Sequence, residues 1–187
     1  MKFIASVKRL LFHFISNVLM FRKVTNGGGC CIYPPAYFHG SGISFGKNVN
    51  IGRSCRIETF ATSEYPNPVI DIQDNVNINW YCHIGAINKI QIGKNVLIGS
   101  FVMIIDHSHG DNLDLNCNPQ SRPLVSDGPI IIEENCWIGE KCSILPNVRI
   151  GRNSVIGANS VVTKDIPPYS IAVGCPAKVI KTIGNEC

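Results

Sequence analysis

Aliphatic residues recur at every sixth position along most of the chain. Phe45, Ile51 and Ile57 form one run, Ile72, Ile78 and Ile84 a second, and Ile92, Ile98 and Ile104 a third. The longest run passes through Ile132, Ile138, Ile144, Ile150, Ile156 and Val162. A period of six is neither helical nor sustained strand alternation, so it predicts strands of two or three residues separated by corners. Glycine follows the aliphatic residue at Gly46, Gly52, Gly85, Gly93, Gly99, Gly139, Gly151 and Gly157. Asparagine stands three residues after it at Asn48, Asn75, Asn95, Asn135, Asn147, Asn153 and Asn159. Asn tolerates the left-handed backbone region better than other non-glycine residues, so these positions read as corners.

Two residues before each aliphatic position the side chain is small or apolar, as at Val49, Val76, Val96 and Val148. On a strand such a residue points to the same side, here inward. Cys55, Cys82, Cys136 and Cys142 share this phase and are expected to be inert core thiols. The phase slips in three places. Residues 58–68 are expected to bulge, 86–90 make a slip of two, and 106–129 carry no hexad signal. A loop of that last length in a tight solenoid is usually functional.

The ends differ. Phe3, Ile4, Val7, Leu10, Leu11, Phe14, Ile15, Val18 and Leu19 predict one apolar helical stripe. Residues 1–24 also hold Lys2, Lys8, Arg9, Arg22 and Lys23 and no acid. The helix either lies on an anionic lipid surface, a peripheral membrane contact through residues 1–24, or packs on protein. Gly27–Gly29 reads as a hinge. The remainder of the chain is slightly acidic, which argues against a nucleic-acid partner. Nine cysteines without a signal peptide point to reduced thiols in the cytoplasm. No apolar run is long enough for a transmembrane helix.

The hexads from about residue 43 onward resemble the hexapeptide-repeat acetyltransferase family. The segment from Thr163 to Lys181, with its Ile-Pro-Pro and Gly-Cys-Pro-Ala elements, is similar to the tail of its maltose, galactoside and xenobiotic acetyltransferase branch. The resemblance implies an all-β fold, a left-handed parallel β-helix of about five triangular coils. Residues 1–42 are then an N-terminal helix and linker, 43–163 the β-helix with its loop 106–129, and 164–187 a tail on the CoA side. The prolines of the tail are expected to end the last coil.

Acyl transfer from a thioester to a hydroxyl needs a base of near-neutral pKa, and histidine supplies it. The long loop opens Asp106-His107-Ser108-His109-Gly110. In the resembling enzymes the general base is a histidine just after the strand, which points to His107, with His109 as the second candidate. Asp106, Asp111, Asp114 and Asp127 are the carboxylates available to orient the base or the sugar. The resemblance places Asn79 against an acceptor sugar; Trp80 and Tyr81, which follow it, offer rings to stack on a pyranose face, and Trp80 and His83 are candidates to line the groove. A family aspartate a few residues later is unmatched, since Ile87 stands there.

For the cosubstrate, acetyl-CoA, the resemblance implies Trp137 beside the pantetheine arm. Gly139, Ala158 and Thr163 provide close backbone approach, and Lys164, Lys178 and Lys181 meet the phosphates. No metal is required. Three subunits are expected to pack into a homotrimer with sites between them. The activity implied is O-acetylation of a sugar or polysaccharide-precursor acceptor, as in O-antigen or capsule synthesis, in the cytoplasm or at the inner face of the membrane. N-acetylation of a nucleotide-linked amino sugar is the alternative, although the 42 residues before the first repeat leave little room for a nucleotide-binding domain; xenobiotic acetylation follows. A zinc enzyme of the gamma-carbonic-anhydrase kind, using His83, His107 and His109, and a non-catalytic scaffold are the other classes.

Overall fold

A computed structural model describes residues 24–110 and 118–184, and in it the hexads become short strands stacked in three sheets. The first sheet holds β1 (Val24–Asn26), β4 (Ile43–Phe45), β7 (Val69–Ile72), β10 (Lys89–Ile92), β13 (Ile130–Ile132) and β16 (Arg149–Ile150). The second holds β2 (Cys31–Ile32), β5 (Asn50–Ile51), β8 (Asn77–Ile78), β11 (Leu97–Ile98), β14 (Trp137–Ile138), β17 (Val155–Ile156), β19 (Ser170–Gly174) and β20 (Ala177–Thr182). The third holds β3 (Tyr37–His39), β6 (Arg56–Thr59), β9 (His83–Ala86), β12 (Met103–Ile105), β15 (Ser143–Ile144) and β18 (Val161–Val162). From β1 to β18 the chain visits the three sheets in turn. It therefore forms triangular coils, and the fold is the left-handed parallel β-helix.

Coil stacking aligns the aliphatic phase. Ile51 pairs with Ile78, Ile78 with Ile98, Ile98 with Ile138 and Ile138 with Ile156, all with negligible exposure. Each such side chain contributes about 1.5–3 kcal/mol by leaving water. Cys55, Cys82, Cys136 and Cys142 are buried in the same column logic. Burial pushes the Cys136 thiol up to about 11 and raises that of Cys142, so neither is a nucleophile at neutral pH. All seven phase-locked asparagines have φ between 57° and 59°. Asn48, Asn75, Asn95 and Asn135 form a ladder, each amide donating to the carbonyl oxygen of the next at 3.0–3.2 Å.

The described coils begin earlier than residue 43. β1, β2 and β3 pair in register with β4, β5 and β6, so a full coil precedes the expected start and there are six coils rather than five. Ile32 and Phe38 keep the hexad phase, but Asn26 occupies its aliphatic position, which hid the coil. Gly27–Gly29 is a corner of this coil and not a hinge: Gly27 N–H donates to the Phe45 carbonyl at 2.8 Å. At the other end the prolines do not end the stack. β19 continues the second sheet parallel to β17, and only β20 turns back antiparallel. The predicted helix over residues 3–19 lies outside the described residues. No helix among the described residues is long and apolar enough to cross a membrane.

Candidate active site

His107 follows β12, an interior strand of the third sheet between β9 and β15. Its Nδ1 lies 3.0 Å from Oδ1 of Asp106, whose side chain is fully buried. The Asp106 carboxylate also accepts the backbone N–H of Ile87 and of Asn88, each at 2.9 Å. Those two N–H groups come from the connection between β9 and β10, where the hexad slips by two residues. The irregular corner thus builds the cradle that fixes Asp106. With a carboxylate oxygen as acceptor, His107 Nδ1 is the donor, so in the neutral ring the lone pair is on Nε2. The His107 side chain is 11% exposed.

A second imidazole stands beside the first. His83 Nε2 lies 3.0 Å from Glu58 Oε2, which also receives Arg56 Nη2 at 2.6 Å. Burial pushes His83 below the ordinary imidazole range, and the Arg56 charge acts in the same direction against the opposing effect of Glu58. His83 is therefore a neutral donor to Glu58 near neutral pH. Between the histidines lies Gly85, paired with Glu58 on one side and Ile105 on the other. A methyl group there would sit 3.5 Å from His83 Nε2 and 3.6 Å from His107 Cε1, so glycine leaves the gap open. Phe60 closes one side, its ring edge-on to His107 at 6.1 Å between centroids.

Two excursions wall this spot. Thr59 and Glu58 are buried within β6, so the expected bulge over 58–68 begins only at Phe60. Its Tyr65 hydroxyl donates to the Ser126 carbonyl of the longer loop at 3.2 Å. That loop is pinned at its root by Ser108 and Val125, whose backbones exchange hydrogen bonds of 2.9 and 3.0 Å. His109 lies just beyond and is exposed. Asp127 is exposed too, and Asp111 and Asp114 lie outside the described residues.

The other predicted residues sit elsewhere on the prism. Asn79 and Trp80 border a cleft on the second face with Tyr33, Asn50 and Asn77, and neither His83 nor His107 lines it. Trp137 projects from β14 on that same face and is half exposed. Gly139 has a structural reason of its own: a Cβ there would come within 2.6 Å of the Ala158 nitrogen in the next coil. Ala158, Thr163 and Lys164 are exposed on the last coil, and Lys178 and Lys181 on β20. Glu58, Arg56, Phe60 and Gly85 were not singled out from sequence. The usable signal was the phase: Ile57 points inward, so Arg56 and Glu58 both face out, one coil from His83 and Gly85. Among the described residues no three His, Cys, Asp or Glu side chains converge as metal ligands.

Residues 129–164 match the bacterial transferase hexapeptide (six repeats) family. WbbJ of Escherichia coli (strain K12), provisionally named a lipopolysaccharide biosynthesis O-acetyl transferase, is 38% identical over 159 residues, covering 81% of this chain and 78% of the relative. Galactoside O-acetyltransferase of the same organism is 36% identical over 162 residues, covering 87% of this chain and 65% of its own length. A solved structure, the hexapeptide-repeat-containing acetyltransferase VCA0836 of Vibrio cholerae O1 biovar eltor complexed with acetyl coenzyme A, superimposes with a TM-score of 0.62. It is 27% identical, with 97% of this chain and 86% of that chain covered.

Proposed function

Because the chain belongs to the hexapeptide-repeat acetyltransferase family and is an acyltransferase that uses acetyl-CoA, we propose that it acetylates a sugar hydroxyl of a surface-polysaccharide precursor, with His107 as general base. The observation that carries this reading is the Asp106–His107 pair. A buried carboxylate fixed by two backbone N–H groups holds Nδ1, and the free Nε2 is left to take a proton.

In the proposed reaction the acceptor hydroxyl enters the gap over Gly85 and gives its proton to His107 Nε2. The sugar oxygen bonds to the thioester carbonyl carbon, and the tetrahedral oxyanion collapses with cleavage of the C–S bond. The imidazolium returns its proton to the departing thiolate, yielding an acetyl ester and free CoA. Asp106 steadies the imidazolium throughout. No acyl-enzyme is needed, in keeping with core thiols of raised pKa.

Trp137, Asn79 and Trp80 occupy a different face from His107, so one chain does not enclose the thioester. A homotrimer, in which the second face of one subunit meets the third face of the next, would bring the two sets together. The corner between those faces carries Tyr81 and Phe101, stacked at 4.9 Å with 5° between their planes. Both are about half exposed and both have φ of 60°, where bulky residues pay for their conformation. Ser54 and Lys141 take the same left-handed turn at this corner in other coils, with φ of 58° and 57°, so the angle belongs to the corner; what the trimer would add is burial of the two exposed rings. The deciding experiment is a sugar screen with acetyl-CoA, following thiol release and the product mass. An alkali-labile acetyl adduct supports ester formation; an alkali-stable one would indicate amide formation and defeat the O-acetyl reading.

A further inference from the structure

The proposed reaction uses the gap over Gly85, but the third face continues past it toward the first coil, and that stretch has no part in the chemistry. Along β3, Tyr37 and His39 both project outward and are exposed, because Phe38 between them turns toward the core. Their rings are parallel to within 3° at a centroid separation of 6.3 Å. His39 lies 5.7 Å from Phe60, and Phe60 lies 6.1 Å from His107. An unbroken row of rings therefore leads from the end of the coil to the candidate base. Tyr37 is 52% exposed, and beside it the paired Arg56, its guanidinium tied to Glu58, supplies hydrogen-bond donors at the rim.

From this geometry we infer an extended glycan subsite formed by Tyr37, His39 and Phe60, with Arg56 at its edge. The inference rests on the sugar-acetylation reading and refines its acceptor. Aromatic faces exposed in a row pack against the C–H faces of pyranose rings, while donors at the edge meet their hydroxyl groups. Phe60, next to His107, fits the sugar that receives the acetyl group. His39, 5.7 Å from Phe60, reaches the edge of that same ring, whereas Tyr37, a further 6.3 Å along from His39, meets a neighbouring unit. The acceptor is thus an oligosaccharide of at least two sugars, and a lone monosaccharide fills only part of the site.

Saturation-transfer NMR titrations with glucose, galactose, rhamnose and N-acetylglucosamine, and with their di- and trisaccharides, test this without relying on catalysis. The parent protein is expected to bind at least one di- or trisaccharide about tenfold more tightly than its monosaccharide. Tyr37→Ala should abolish that preference and Tyr37→Phe should keep it, since Phe retains the ring. The same sugars run with acetyl-CoA should show the difference in KM more than in kcat. No binding of any member, no length preference, or a preference untouched by Tyr37→Ala would overturn the subsite. Length-dependent binding without acetyl transfer supports the subsite and sinks the reaction; transfer without length dependence does the reverse.

Discussion

His107, a candidate base from its place in the sequence just after a strand and at the root of a long loop, is set against a buried carboxylate. The identity of that orienting partner was not legible in the sequence, since four aspartates were available and only folding shows that Asp106 is buried against the N–H groups of Ile87 and Asn88. Asparagine at position 106 would place an N–H2 against one of its three donors. Asp106→Asn is expected to lower kcat on the order of 10²-fold with a smaller change in KM, measured by thiol release. The neighbouring His83 makes a pH prediction. Its folded pKa lies below the ordinary 6.5, so the unfolded chain binds the proton more readily. Its contribution to stability is complete above about pH 6.5 and is lost as pH falls from there through the lower folded value. Melting temperature should therefore fall between pH 7 and pH 5, and His83→Gln should flatten that slope. An unchanged slope would assign the acid sensitivity to other groups.

At the scale of the strand and corner, the six-residue phase located nearly every turn, because inward Ile and left-handed Asn each satisfy a strict local demand. It failed where the phase position holds a polar residue, as at Asn26 in register with Phe45, and where two loops change the spacing between coils. Glu58 illustrates the second failure. Its partner His83 is 25 residues away, a distance set by the Phe60–Pro68 excursion and invisible to a count of sixes. The corner itself can be probed at Asn95, which has φ of 59° and bonds both ladder neighbours. Asn95→Ala is expected to cost about 1–2 kcal/mol in urea unfolding, while Asn95→Gly, which loses the same ladder bonds but keeps the backbone freedom, should cost less. Equal losses would show that the ladder, and not the backbone angle, carries the stability.

For the whole molecule, the repeat predicted a prism, but not which of its faces work together. Trp137 and Asn79 lie on one face and His107 on another, and the proposed trimer would join them across a subunit boundary. Light scattering should give three times the 20.5 kDa chain, and Phe101→Lys, which puts a charge at the shared corner, should yield monomers of undiminished melting temperature. A monomeric parent protein that transfers acetyl groups at full rate would remove the need for that boundary. The central claim, that one fixed imidazole carries the proton, is tested most directly by acetyl-transfer rates of His107→Ala and His109→Ala side by side. The expected result is a loss of more than about 10²-fold in His107→Ala and near-parental activity in His109→Ala. Equal activities in the two variants, or a loss confined to His109→Ala, would contradict it.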